Sequence, residues 1–322
     1  MCWITCPFCG LSCLNFDKIF ANIGNFAILK IQLLWYCTLI MEKICWANTH
    51  NFDDAKFVIV GIPDESRSHA LRKGTEEAPF KIRQISNLRD SYERSGIISL
   101  GRPFQGTEKK VHDVGNIDRN QIESTYDKIF ASSKIPISIG GDHSITQQII
   151  NTMTKRIGKV SLVYFDAHPD FVSSTTNYYG SVVNDVLSNI EIESSVEIGI
   201  RTPEQEELDN IQKYNLEVIT PFDIKEKGIE QVANSVLKKL GDKVYVSFDM
   251  DCIDPAYAPG VSVPVPLGLS DTEAVYLLQK IAKKGIIGID LMEVCPSFDV
   301  NDRTSHLASR IIAEVLYSSG GN

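Results

Sequence analysis

Cysteine is almost absent from most of this chain. Of its eight cysteines, Cys2, Cys6, Cys9, Cys13, Cys37 and Cys45 crowd into the first fifty residues, leaving Cys252 and Cys295 for all the rest. Two distant thiols argue against a disulfide-stapled body and for a reduced, cytoplasmic protein. Basic patches are missing too. No Lys/Arg stripe runs along any segment and the formal net charge is −9, which argues against a nucleic-acid partner. The apolar run IQLLWYCTLIM at residues 31–41 falls well short of the ~20 residues that span a bilayer, so no membrane partner is expected. The extreme amino terminus lacks a basic region and a clear small-residue cleavage site, and so does not resemble a secretory signal.

What is present is a chain of 322 residues, 43% hydrophobic and 23% charged, enough to bury a sizeable core. Its first fifty residues stand apart. The C-x3-C-x2-C-x3-C spacing of Cys2, Cys6, Cys9 and Cys13 could hold zinc or an iron–sulfur cluster, because close thiolates are what those centres need. The plainer expectation is that Met41 is the true start and that the upstream segment is not translated or is disordered. The expected organisation is therefore an extension at 1–50 and one domain at 51–322.

From Lys56 onward, short β-branched runs alternate with longer helix-like stretches. The expected strands are KFVIVGI (56–62), IPISIG (135–140), KVSLVYF (159–165), SVEIGI (195–200), LEVIT (216–220), KVYVSF (243–248) and GIIGIDL (285–291), with a shorter one at KVHDVG (110–115). They are continuously apolar rather than alternating, which predicts a parallel sheet covered on both faces. Helical candidates lie between them, including SITQQIINTMTKRI and SDTEAVYLLQKIAKK. The repeated βα order predicts one doubly wound α/β domain.

Four polar segments follow four of these strands: GGDHS (140–144), DAHPD (166–170), DMDCIDP (249–255) and EVCPS (293–297). In an open parallel sheet the carboxyl ends of the strands share one crevice, so distant segments converge there. Alternation along an extended segment would aim Asp166, His168 and Asp170 together, and Asp249 with Asp251. With His143 this makes four carboxylates and two imidazoles, too many for one tetrahedral ion and suited to two. An oxygen-dominated set favours Mn²⁺ over thiolate-loving metals, and a pair of ions can activate a water for hydrolysis. A single D-x-H-x-D is often a chance match, and a strand-end aspartate is commonly a cap or turn former; Asp142 and Asp254 are read that way. The same ligand chemistry at three strand ends on one rim is what singles out this set. His50, His69, His112 and His306 are read as structural or surface residues.

GGDHS, DAHPD, SFDMDCIDPAYAPG and EVCPS, in this order, resemble the four signatures of the ureohydrolase superfamily, which contains arginase, agmatinase and formimidoylglutamase. The resemblance runs from about Lys56 to the carboxyl terminus. GIPDESRSHALRKGTEEAPFKIR, IGIR at 198–201 and TSHLASRIIAEVL are most similar to the agmatinase-like branch. The resemblance implies a three-layer α/β/α sandwich with a mostly parallel sheet of about eight strands, two Mn²⁺ ions per subunit, and a homo-oligomer, a trimer or hexamer. It implies that His143, Asp166, Asp170 and Asp249 hold one manganese and that Asp166, His168, Asp249 and Asp251 hold the other. Glu293 matches the glutamate that receives the substrate guanidinium, a planar cation suited to bidentate pairing with a carboxylate. The implied reaction is hydrolysis of a guanidino carbon to urea and an amine, with Asp170 hydrogen-bonding the nucleophile.

One position departs from the family pattern. Where a Ser-His-Gly segment usually supplies a proton-shuttling histidine, this chain has NYYGS, and Tyr179 takes the histidine's place. A phenol of ordinary pKa about 10 shuttles protons poorly near neutrality, so Tyr179 either donates, is replaced by water and Asp170, or marks another substrate. The loop FVSSTTNYYGS contains no Arg or Lys, which disfavours an anionic substrate tail unless Arg67, Arg72 or Arg201 enters from elsewhere. The expected substrate is a small cationic guanidino compound, best matched by agmatine, giving putrescine for polyamine synthesis. The alternatives are arginine, a guanidino acid, a formimidoyl amino acid, or a metal-binding chain without catalysis.

Overall fold

Alternate residues of the first strand serve two different cores. Along β1 (Phe57–Ile62), Phe57 and Ile59 join one buried cluster while Val58, Val60 and Ile62 join another. A strand apolar on both sides sits inside a sheet covered on both faces. The computed structural model describes residues 43–88, 97–99, 102–103 and 109–319. The cysteine cluster Cys2, Cys6, Cys9 and Cys13, together with Cys37 and the apolar run at 31–41, lies outside the described residues.

The remaining strands are β2 (Ile97–Ser99), β3 (Arg102–Pro103), β4 (Val111–Asn116), β5 (Ile135–Gly140), β6 (Ser161–Phe165), β7 (Val196–Ile198), β8 (Glu217–Ile219), β9 (Val244–Asp249) and β10 (Gly288–Met292). Eight of them form one sheet in the order β4-β1-β5-β10-β9-β6-β7-β8. Every pairing in it is parallel. All eight expected strands are present within a few residues of their expected limits. Only the β2–β3 hairpin, antiparallel and separate from the sheet, was not anticipated.

The helices are α1 (Ala78–Ser86), α2 (Ile122–Ala131), α3 (Ile145–Ile157), α4 (Val182–Val186), α5 (Gln205–Tyr214), α6 (Pro221–Lys227), α7 (Ile229–Lys239), α8 (Asp271–Lys284) and α9 (Arg303–Ser318). Buried residues of α1, α7, α8 and α9 share a core with one face of the sheet, and those of α2, α3 and α4 share a core with the other. This is the three-layer sandwich. Local chemistry starts the helices: at α8 the Ser270 hydroxyl accepts the Glu273 N–H at 3.2 Å while the Glu273 carboxylate accepts the Ser270 N–H at 2.9 Å, a reciprocal cap. The short α6, absent from the sequence expectation, opens the same way with Thr220, Pro221 and Asp223.

Residues 43–50 lie against this body. Ile44 and Trp46 are buried in the first core, and the Ile44 N–H donates to Asp113 at 2.8 Å. No helix among the described residues is long and apolar enough to cross a membrane.

The strand order carries the functional consequence. β5, β10, β9 and β6 are adjacent at the centre of the sheet, although β6 follows β5 directly in the chain and β9 and β10 arrive much later. Such a gap, filled by late strands, is a topological switch point, where the carboxyl ends open a crevice. The four polar segments follow these four strands.

Candidate active site

β5 ends at Gly140, and the chain turns sharply through GGDHS into α3. A Cβ on Gly141 would overlap the backbone carbonyl of Asp64, so only glycine lets the 63–74 loop lie this close. Asp142 is the turn former it was read to be: its carboxylate accepts N–H groups of Arg67 and Ser144 and pairs with Arg119 at 3.2 Å. His143, one residue on, is buried and points into the crevice. Its Nδ1 lies 2.9 Å from Asp166 Oδ2, 3.1 Å from Asp249 Oδ2 and 3.5 Å from Asp170 Oδ2.

Behind it, His143 Nε2 meets Ser247 Oγ at 2.8 Å, and that hydroxyl donates to Asp290 at 2.7 Å. Asp290 also accepts from Thr146 and Tyr245. His143 turns Nδ1 to the crevice; burial opposes its charge, but bonds to Asp166 and Asp249 raise it well above the ordinary imidazole range. Outer partners such as Ser247 and Asp290 fix the tautomer and orientation of a metal-binding imidazole.

The second and third segments interlock. Asp166 Oδ1 accepts the His168 N–H at 2.7 Å, Asp251 Oδ1 accepts the Ala167 N–H at 3.0 Å, and Asp249 Oδ1 accepts the Asp251 N–H at 2.7 Å. His168 Nδ1 then lies 3.3 Å from Asp166 and 3.1 Å from Asp251. The convergence expected from strand alternation therefore has another cause. β6 stops at Phe165 and Asp251 lies in a single helical turn after β9. Asp170 is aimed by a left-handed backbone, φ 48°, and by the Tyr164 hydroxyl donating to it at 2.5 Å. Glu293, after β10, also has a left-handed backbone at φ 64°. Each such non-glycine residue costs about 1–3 kcal/mol and tends to occur at functional sites.

His143, Asp166 and Asp170 offer ligand atoms within 4.8 Å of one another, and so do Asp166, His168 and Asp251. Asp166 belongs to both groups, and its buried Oδ2 faces His143 Nδ1 at 2.9 Å with no other donor among the described residues. Asp249 reaches the first group through His143. The electrostatics show a deficit of positive charge. Burial works against a charged His168, yet the charge of Asp251 and bonds to Asp166 and Asp251 push it up to about 12. Burial and then neighbouring carboxylates push Asp170 and Asp249 well above the usual range. These groups hold protons where divalent cations would displace them. A hard-oxygen set with two imidazoles fits Mn²⁺ or a similar divalent ion.

Glu293 faces the same cleft, with Tyr179, Ser262 and Val263 in its walls. Its carboxylate accepts the His143 N–H at 2.8 Å on one oxygen and the Ser262 hydroxyl on the other. Burial, the largest influence, pushes it up to about 7. Tyr179 donates its N–H to Arg67 O at 3.4 Å, and burial followed by the charges of Glu293 and Asp170 raises its hydroxyl above the ordinary phenol range. Ser262, Tyr164, Ser247 and Asp290 escaped sequence reasoning. Ser262 sits in an irregular loop with no recognisable spacing, and the others look like ordinary strand residues. His112 and His306 lie away from the site, His112 beside Thr49 and Phe52 and His306 within α9. His50 is exposed on the amino-terminal segment. His69 is exposed as expected, but it contacts Tyr178 and Tyr179.

The sequence profile of the arginase family matches residues 55–317. This chain belongs to the arginase family. Within it, the agmatinase of Cronobacter sakazakii is 32% identical over 281 residues, which cover 82% of this chain and 87% of that one. The agmatine ureohydrolase of Thermoplasma volcanium superposes with a TM-score of 0.76 at 31% identity, covering 86% of this chain and 94% of that one. Formimidoylglutamase of Bacillus subtilis gives the same TM-score at 25% identity, covering 86% of this chain and 91% of that one. The family match makes this chain an arginase-family hydrolase of linear amidines, and backbone shape, shared with both an agmatine ureohydrolase and a formimidoylglutamase, does not choose among substrates.

Proposed function

We propose that the protein is a manganese-dependent agmatinase, hydrolysing agmatine to urea and putrescine. The observation that carries this reading is the chemistry of the cleft: a buried carboxylate opposite two metal-competent groups, with the nearby arginines engaged elsewhere. Arg201 donates to carbonyls of Gly199, Asp251, Cys252, Val265 and Pro266. Arg72 lies over the Phe298 ring at 5.0 Å, and Arg67 donates to Gln147 on α3. An anionic tail, as on a guanidino acid or formimidoylglutamate, would have to draw Arg67, Arg72 or Arg201 from these partners. The names of the relatives at 31–32% identity point the same way.

In this reading His143, Asp166, Asp170 and Asp249 hold one Mn²⁺, and Asp166, His168, Asp249 and Asp251 hold the other. The chemistry that such a pair of ions supplies when bound is acidification of a water molecule, enough for hydrolysis at neutral pH. Glu293, oriented by His143 N–H and Ser262, takes the guanidinium. Asp170, held by Tyr164, orients the attacking water. The leaving nitrogen needs a proton. Tyr179 holds its own too tightly to give it up readily and serves to position the proton donor, which is solvent water.

The test is urea release from agmatine, arginine and 4-guanidinobutanoate by manganese-loaded protein, with formamide release from formimidoylglutamate in parallel. Agmatine is the expected winner, and Asp249→Ala reduces its turnover to background. A different winner, or silence in protein shown to hold two ions per chain, overturns the assignment.

A further inference from the structure

The cleft has a burial gradient. Glu293 at its floor is 2% exposed, Tyr179 in its wall and Tyr178 beside it are half-buried, and His69 is exposed. Tyr179 lines the cleft, and two further rings pack around it. His69 stacks on Tyr178 with centroids 5.0 Å apart and planes 18° apart, meets Tyr179 edge-on at 6.1 Å, and the two tyrosines meet edge-on at 5.7 Å.

The rings are held in place. Tyr179 N–H donates to Arg67 O, tying the 172–181 loop to the 63–74 loop, and Gln147 on α3 links to both, accepting from Arg67 at 3.2 Å and donating to Asn177 at 3.2 Å. Gly180 makes room for Tyr178: a Cβ there would stand 2.9 Å from the ring. Burial and then the charges of Asp170, Glu207 and Glu204 push the Tyr178 hydroxyl up to about 12.

We propose that His69, Tyr178 and Tyr179 form an aromatic collar that binds the far, cationic end of the substrate and so selects an ω-guanidino amine over compounds with neutral or anionic tails. The proposal rests on the reading that places the guanidino group at Glu293. A flexible chain leaving that floor passes along the collar, where aromatic faces and nearby carboxylates attract an ammonium. An anionic tail meets the same faces and carboxylates as repulsion.

Calorimetric binding to manganese-loaded full-length protein tests this with agmatine, n-butylguanidine, which has the same chain without the amine, and 4-guanidinobutanoate. Agmatine should bind about tenfold more tightly than n-butylguanidine, and 4-guanidinobutanoate most weakly. Tyr178→Leu and His69→Leu should erase most of the agmatine advantage while leaving n-butylguanidine unchanged, and Tyr178→Phe should preserve it. Should Tyr178→Leu fail to fold, His69→Leu and Tyr178→Phe decide. No agmatine advantage in the unaltered protein, or an advantage that survives in His69→Leu, overturns the collar. Urea release measured on the same protein separates the two readings: cation-selective binding without turnover sinks the agmatinase assignment alone, and turnover without cation selectivity sinks the collar alone.

Discussion

Two clusters of charge in the interior of this protein are oppositely finished. Beside the edge strand β4, Arg83 and Asp113, 2% and 0% exposed, form a two-pronged pair at 2.9 and 3.0 Å. Arg83 also donates to Pro79, Asn116 and Gly115, and Asp113 accepts from the backbone of Ile44 and Gly115. At the centre of the sheet, four carboxylates and two imidazoles converge, with one of them, Asp170, in left-handed backbone. The first cluster is closed: each charge has its counter-charge within the chain. The second is open and carries an excess of acid, balanced by protons held on Asp170 and Asp249 that bound cations would displace. Burial alone therefore does not mark function; an excess of acid over base does.

The largest expected effect contrasts the closed cluster with the open one. Arg83→Met strands Asp113 without a counter-charge and should lower stability by about 3–5 kcal/mol, read as a fall in the denaturation midpoint. Manganese should still raise that midpoint by the same amount as in the unaltered protein. A loss of the metal-dependent shift would mean that the two clusters are coupled and would break the comparison.

Next in size is Asp290→Asn, which weakens the support behind His143 without touching a ligand atom. Outer-partner losses of this kind weaken metal affinity by roughly 10–100-fold, measurable by competition with a chelator. Unchanged affinity would mean that the Ser247–Asp290 chain is mere filling.

The smallest effect concerns Glu293. Its proton is held up to about 7, so the carboxylate is neutral below that pH and ionised above it. Guanidinium binding needs the ionised form; it should be fully present above about 7 and weaken by up to about tenfold per unit as pH falls below it. A KM for agmatine that does not change from pH 6 to 8 would refute this, and Glu293→Gln should remove the dependence along with most of the affinity.

Much of the fold was legible because buried parallel strands and their following helices write distinct patterns. Runs such as FVIVGI and VYVSF carry apolar side chains at every position, which only a doubly covered sheet demands. The ligand residues were legible because metal-grade side chains directly after such runs have few other reasons to be there. Asp170 joins the cluster for a reason legible in the sequence only in part: strand alternation pointed to it, while a left-handed turn and Tyr164 aim it. Ser262 and Asp290 were invisible, since a serine in a loop and an aspartate within a strand acquire meaning only from what lies across the cleft.

By itself the sequence determined the parallel sandwich, the six metal-competent side chains and the acid at 293, because hydrophobic pattern and residue chemistry are local properties of the chain. Only the tertiary structure decided which strands stand side by side, which groups Arg67, Arg72 and Arg201 meet, and that His69 meets Tyr178 and Tyr179. Those facts depend on contacts between residues as far apart as Arg72 and Phe298, whose distances no local pattern encodes.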